Sequence, residues 1–155
     1  MSVTREQAER IASVLSEGLP YIQKFYNKII VVKYGGSVMS KHELRRGFAR
    51  DIAMMKLVGM KPVIVHGGGP QIDKELKKEG IESDFISGHR VTNKKTMTVV
   101  NKVLVKVNKE IVDLIEKYGA NATSLTYKNS SCILASKIKL QNTPSLGLVG
   151  DVQTI

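Results

Sequence analysis

Two short glycine runs hold the residues in this chain whose types and order suit chemistry. Lys33-Tyr34-Gly35-Gly36-Ser37 follows the β-branched run Ile29-Ile30-Val31-Val32, and His66-Gly67-Gly68-Gly69-Pro70-Gln71 follows Val63-Ile64-Val65. Both read as a strand running into a glycine turn. Pro70 fits the first position of a helix, where its missing N–H would have had no partner. Glycine turns leave backbone N–H groups unpaired and let a ligand reach them, and a helix start adds partial positive charge. Strand, turn and helix start together form a site for an anion such as phosphate or carboxylate. A tight turn without a ligand is the plainer alternative.

Two such turns beside a lysine suit a phosphoryl group in transfer, a reaction that depends on positioning and charge stabilisation more than on covalent chemistry. Lys33 offers a compact positive charge to the transferring oxygens; the alternative is a solvated lysine at a strand end. The N–H groups of Gly68 and Gly69 offer donors in the manner of an oxyanion hole, and Gly35 and Gly36 line the second nest. Arg90 follows Gly88-His89 in an irregular segment. Its planar fork could grip a carboxylate through two parallel hydrogen bonds, although taken alone it reads as a surface arginine.

Other chemistries find no support. Neither turn continues into Gly-Lys-Ser/Thr, so neither is a nucleotide-binding P-loop. His42, His66 and His89 lack metal-ligand spacing, and no Gly-x-Ser-x-Gly elbow occurs. His66 reads as a strand-end residue that shapes the turn. Cys132 falls in an expected strand, where a cysteine packs rather than reacts.

The 155 residues suit one domain with a real core. A hydrophobic fraction of 42% and a charged fraction of 25% are ordinary for a globular chain. No apolar run approaches the ~20 residues that span a bilayer. The first segment carries Glu6, Glu9 and Glu17 and no apolar stretch, so neither a secretory signal nor a transit peptide is expected. The single cysteine excludes an intrachain disulfide and fits a reducing compartment. The net charge of +10 invites an anionic partner. Aromatic residues are only 5%, with no tryptophan, so platforms for stacking nucleic-acid bases are scarce and the dispersed lysines read as solvated faces.

Local patterns indicate how the glycine turns are held. Thr4 and Gln7 form a capping box, and Ala8, Ile11, Ala12, Leu15, Leu19 and Ile22 then recur at helical spacing, with a kink or break expected at Gly18 and Pro20. This helix has no obvious place in an α/β core; its apolar face meets another subunit or packs on its own domain. A helix over 42–58, capped by Ser37 or Ser40, separates the strands at 29–32 and 62–66. A second helix runs over 70–79 and stops at Gly80. Ser87-Gly88-His89-Arg90-Val91-Thr92 reads as a turn or hairpin. A long helix over 94–118 follows, with Met97, Val100, Leu104, Val107, Ile111, Leu114 and Tyr118 as its apolar stripe. Residues 122–127 and 132–138 read as strands joined by a turn over Lys128-Asn129-Ser130-Ser131, and 146–152 as a further short strand. The alternation gives an α/β sandwich with a largely parallel sheet. Ligands in such sheets sit outside the carboxyl ends of strands, so both turns should face one site.

Taken in order, Lys33-Tyr34-Gly35-Gly36-Ser37, His66-Gly67-Gly68-Gly69-Pro70-Gln71 and Gly88-His89-Arg90-Val91-Thr92 closely resemble the acetylglutamate kinases, amino-acid kinases of arginine biosynthesis. The first motif is shared across amino-acid kinases; the second and third together are specific. The resemblance implies a three-layer α/β sandwich and transfer of the γ-phosphoryl of ATP, with Mg2+, to the side-chain carboxylate of N-acetyl-L-glutamate. It assigns Lys33 to the transferring phosphoryl group, Gly35 and Gly36 to the phosphoryl site, Gly68 and Gly69 to the substrate or that group, and Arg90 to the α-carboxylate of acetylglutamate.

It also divides the chain into residues 1–26, an oligomerisation helix, and 27–155, the acetylglutamate-binding part. The helix, with Leu19-Pro20-Tyr21-Ile22-Gln23-Lys24-Phe25, looks like the extension of arginine-inhibited members, which links dimers into a hexamer. The nucleotide-binding half of the family lies beyond this length, so the chain is expected to be truncated and inactive alone. At Leu125-Thr126-Tyr127-Lys128-Asn129-Ser130 the family often has a glycine in place of Tyr127 and an aspartate in place of Asn129. The implied setting is the bacterial cytoplasm or a plastid stroma. Two other readings differ in class: a non-catalytic module for acidic amino acids, or half-subunit with a partner chain, and a basic nucleic-acid-binding domain whose affinity falls steeply with salt.

Overall fold

A computed structural model describes residues 3–39, 41–140 and 143–155. The chain opens with helix α1 (Arg5–Phe25), whose capping box is formed: the Gln7 N–H donates to Thr4 Oγ1 at 3.3 Å and the Thr4 N–H to Gln7 Oε1 at 3.0 Å. The helix continues through Gly18 and Pro20 without the break expected there. Solvent reaches it on all sides, since none of its residues is buried. Water can therefore satisfy the Ser16 carbonyl that Pro20 leaves unbonded.

Strand β1 (Ile29–Tyr34) and strand β2 (Lys61–His66) pair in parallel, with Ile29 opposite Lys61 and Tyr34 opposite His66. Their crossover runs through a short turn of helix, α2 (Gly36–Met39), and helix α3 (His42–Leu57). The N-cap of α3 is Lys41, with no side-chain capping bond. Of the two serines expected to cap it, Ser37 belongs to α2, and its side chain and Ser40 fall outside the described residues. Helix α4 (Gly69–Lys78) follows β2 at once, then the hairpin β3 (Phe85–Ile86) and β4 (His89–Arg90), then the long helix α5 (Lys94–Glu116). Strands β5 (Leu134–Lys137) and β6 (Gly150–Thr154) pair antiparallel. The tail returns to the start of α5, where the Thr92 N–H donates to Leu146 O at 2.9 Å and the Leu148 N–H to Thr92 O at 2.7 Å.

Two apolar clusters sit on one face of the parallel pair. Tyr34, Met39, Ile72, Leu76, Val99, Val103 and Val107 join the first glycine turn to α4 and α5. Ala49, Ile52, Ala53, Ile115 and Ala120 join α3 to the end of α5. Of the α5 core residues, Val107 belongs to the expected stripe, Val99, Val103 and Ile115 lie to one side of it, and the other stripe members are half-buried. The reason is that α5 packs on α3, α4 and the sheet together, which takes a band wider than one stripe. The opposite sheet face is bare: Ile29, Val31, Val63 and Val65 are 71%, 68%, 43% and 54% exposed. The α/β class and the parallel sheet are as expected, and only part of a three-layer arrangement is present.

Two further expectations fail. Residues 122–127 form no strand; the segment ends in a turn in which Asn129 Oδ1 accepts from the Thr126 N–H at 2.7 Å. A strand needs a neighbour's ladder of hydrogen bonds, and this segment makes none. Cys132, expected to pack, is exposed.

Candidate functional site

The parallel register places both glycine turns side by side at the carboxyl ends of adjacent strands. The Gly67 N–H donates to Tyr34 O at 3.2 Å and ties the turns together. They also touch: a β-carbon on Gly36 would lie 3.4 Å from Pro70 Cγ. Gly35, Gly67 and Gly69 face open space, whereas a β-carbon on Gly68 would come within 2.8 Å of Leu104 Cδ2. Gly68 thus lets the turn lie close against α5, while its neighbours leave room for a ligand.

Gly68 is the N-cap of α4 and Gly69 its first residue. With the Gly67 N–H engaged, the N–H groups of Gly68 and Gly69 have no acceptor among the described residues. They are the two donors singled out in the sequence, and the α4 dipole lies behind them. Lys33, on the bare sheet face, is exposed and joins none of the ion pairs among the described residues.

Tyr34, between Lys33 and the first glycines, is 3% exposed and stacks on Phe48 with ring centroids 4.1 Å apart. Burial pushes its hydroxyl above the usual tyrosine range, partly opposed by the nearby Arg45 charge. Arg45 Nη2 in turn donates to Glu110 Oε2 at 3.0 Å. Gln71 Nε2 meets Met39 Sδ at 3.5 Å, so the helix behind the second turn also holds the segment after the first.

Arg90 reaches α4 rather than solvent. Its Nη2 donates to Asp73 Oδ1 at 2.6 Å, its Nη1 donates to Ser83 Oγ, and its guanidinium carbon lies 4.5 Å from the centre of the Phe85 ring. Asp73 is four residues beyond Gly69 on α4, about 6 Å along the axis at 1.5 Å per residue. One helix therefore carries the amide donors at its start and an anchor for Arg90 a turn further on. Lys33, Gly35, Gly36, Gly68 and Gly69 share the strand-end edge, and Arg90 joins them through Asp73.

Asp73, Ser83 and Phe85 escaped sequence reading, as did Asn108, whose side-chain amide meets His66 Nε2 at 3.3 Å. The one available signal was Asn108 itself, a polar residue beside the apolar stripe of α5. Among the described residues no group of three or more His, Cys, Asp or Glu side chains could hold a metal ion. No helix among them is long and apolar enough to cross a membrane.

The sequence pattern of the amino acid kinase family matches residues 28–154. The acetylglutamate kinase of Hydrogenovibrio crunogenus is 52% identical over 165 aligned residues, covering 100% of this chain and 55% of the relative. That of Stutzerimonas stutzeri is 53% identical, covering 94% of this chain and 49% of the relative. The chain thus spans about half the length of these curated relatives. Among solved structures, N-acetylglutamate synthase from Neisseria gonorrhoeae complexed with coenzyme A and N-acetyl-glutamate superposes on 92% of the chain with a TM-score of 0.78 at 17% identity, a likeness of fold.

Proposed function

The chain belongs to the amino acid kinase family, and on that premise we propose that it is the acetylglutamate-binding part of an acetylglutamate kinase. The observation that carries this reading is the pairing of two glycine turns at adjacent parallel strand ends, with Lys33 entering the first and α4 rising from the second. The names of relatives at 52% and 53% identity support it.

In the proposed reaction a side-chain carboxylate oxygen of N-acetyl-L-glutamate attacks the γ-phosphorus of ATP. An acyl O–P bond forms as the P–O bond to ADP breaks. The attacking group is already ionised, so no base is needed. Lys33 neutralises charge on the transferring phosphoryl, and the Gly68 and Gly69 amides donate to its oxygens or to the substrate. Gly35 and Gly36 leave space for that group. Arg90 binds the α-carboxylate and fixes which end of the substrate faces the phosphate. Mg2+, arriving with ATP, would supply further neutralisation of the phosphates. We assign the nucleotide to protein beyond the length spanned here, so this chain alone forms no ADP.

The exposed apolar stripe of α1, with Ile11, Val14, Leu15 and Leu19 all more than half exposed, supports an intersubunit role for residues 1–26 in a homo-oligomer; arginine as a feedback ligand rests on the family resemblance alone. The bacterial relatives support a cytoplasmic setting over a plastid stroma.

Calorimetric titration of the folded chain with N-acetyl-L-glutamate tests the substrate site. Saturable binding that Arg90→Ala abolishes is expected. Equal binding by the Arg90→Ala chain, or none by the folded wild type, overturns the assignment.

A further inference from the structure

We propose that Asp73 is a positioning residue for the carboxylate site, holding the Arg90 guanidinium so that its remaining N–H groups face the incoming carboxylate. The inference rests on the role of Arg90 proposed above. Three contacts fix the guanidinium. Asp73 Oδ1 and Ser83 Oγ accept from its two terminal nitrogens and set its rotation, and the Phe85 ring at 4.5 Å sets its plane. An arginine has five N–H donors. These two hydrogen bonds engage one on each terminal nitrogen, and the others remain for a ligand.

Exposure separates the two partners. The Arg90 side chain is 11% exposed and the Asp73 side chain 57%. The cation is nearly enclosed, whereas the carboxylate that holds it stands at the rim, on the helix whose first turn presents the Gly68 and Gly69 amides. That shared helix sets the distance between the phosphoryl end and the carboxylate end of the site. A long side chain ordered before the ligand arrives spares the ligand the entropy of ordering it. Asp73 acts by geometry and not by charge, because a second carboxylate near the same arginine is repelled by it.

This separates two substitutions. Asp73→Asn keeps an acceptor oxygen and removes the repulsion. Asp73→Ala frees the guanidinium to rotate. Calorimetry of the folded chain with N-acetyl-L-glutamate should show Asp73→Asn binding at least as tightly as wild type, and Asp73→Ala binding about tenfold more weakly. Added to Arg90→Lys, Asp73→Ala should cause no further loss, because it acts through the arginine fork. The α-amide of the same ligand, which keeps the side-chain carboxylate but lacks the α-carboxylate, should not distinguish wild type from Asp73→Ala. Asp73→Ser, too short to reach Arg90, serves if the alanine chain fails to fold.

Tighter or unchanged binding by Asp73→Ala overturns the proposal, and tighter binding would make Asp73 a competitor for the site. A loss that persists in the Arg90→Lys background also overturns it. If Arg90→Ala binds like wild type, or the folded wild type binds nothing, the role of Arg90 fails first and that of Asp73 with it.

Discussion

The side-chain amide of Asn108 donates to His66 Nε2 at 3.3 Å, and this contact fixes which ring nitrogen carries the proton. The opposite nitrogen, Nδ1, lies 2.9 Å from the Gly67 carbonyl and must donate to it. The Asn108 oxygen accepts from Ser124 Oγ, which turns the amide NH2 toward the ring. A single chain of donors thus runs from the loop after α5, across α5, into the second glycine turn.

Asn108→Leu should break this chain. It leaves His66 Nε2 without a donor in a partly enclosed place, a loss of about 1–2 kcal/mol in urea unfolding followed by circular dichroism. The effect should be absent when His66→Ala is made first, since the two residues act as one unit.

Gly147→Ala should weaken the return of the tail to α5. Gly147 has φ +74°, and a β-carbon there would lie 2.2 Å from Thr92 O, a backbone atom that cannot step aside. A cost of about 2 kcal/mol or more is expected from strain and displacement together. Hydrogen exchange should show early loss of protection at the Leu148 amide, which bonds Thr92 O at 2.7 Å.

Gly68→Ala meets a softer obstacle, the Leu104 methyl at 2.8 Å. Overpacking of this kind costs about 1–3 kcal/mol. In a Leu104→Ala background the same change should cost almost nothing, and the difference between the two measurements reports how closely the turn leans on α5.

Glu75 sets a pH dependence. Hydrogen bonds from Lys102 at 2.9 Å and Lys78 at 3.1 Å lower its carboxyl from the usual 4.5 to about 2. A carboxyl depressed on folding stabilises the native state above its unfolded value, and that contribution disappears as pH falls from 4.5 toward about 2. The wild-type melting temperature should therefore fall more over this range than that of Glu75→Gln. The Lys102 side is open to solvent, so added salt should narrow the difference.

How far the sequence could be read depended on how local each signal was. The glycines after β1 and β2, the capping box at Thr4 and the stop at Gly80 act within a few residues, and each lies where expected. The stripe of α5 was displaced because three neighbours share that helix, and a one-dimensional pattern does not show how many. Residues 122–127 have the composition of a strand, but strand formation depends on a partner elsewhere. Arg90 could be singled out, but the aspartate, serine and aromatic ring that hold it come from other elements, and their convergence is a property of the fold.

The open apolar face of β1 and β2 determines how this chain behaves in common assays. A fluorogenic dye that brightens on apolar surface will find Ile29, Val31, Val63 and Val65 in the native state. Its signal should therefore start high before any heating. The same face should delay elution from a hydrophobic-interaction column, and a change in that delay when other protein is added would report directly that the face has been covered.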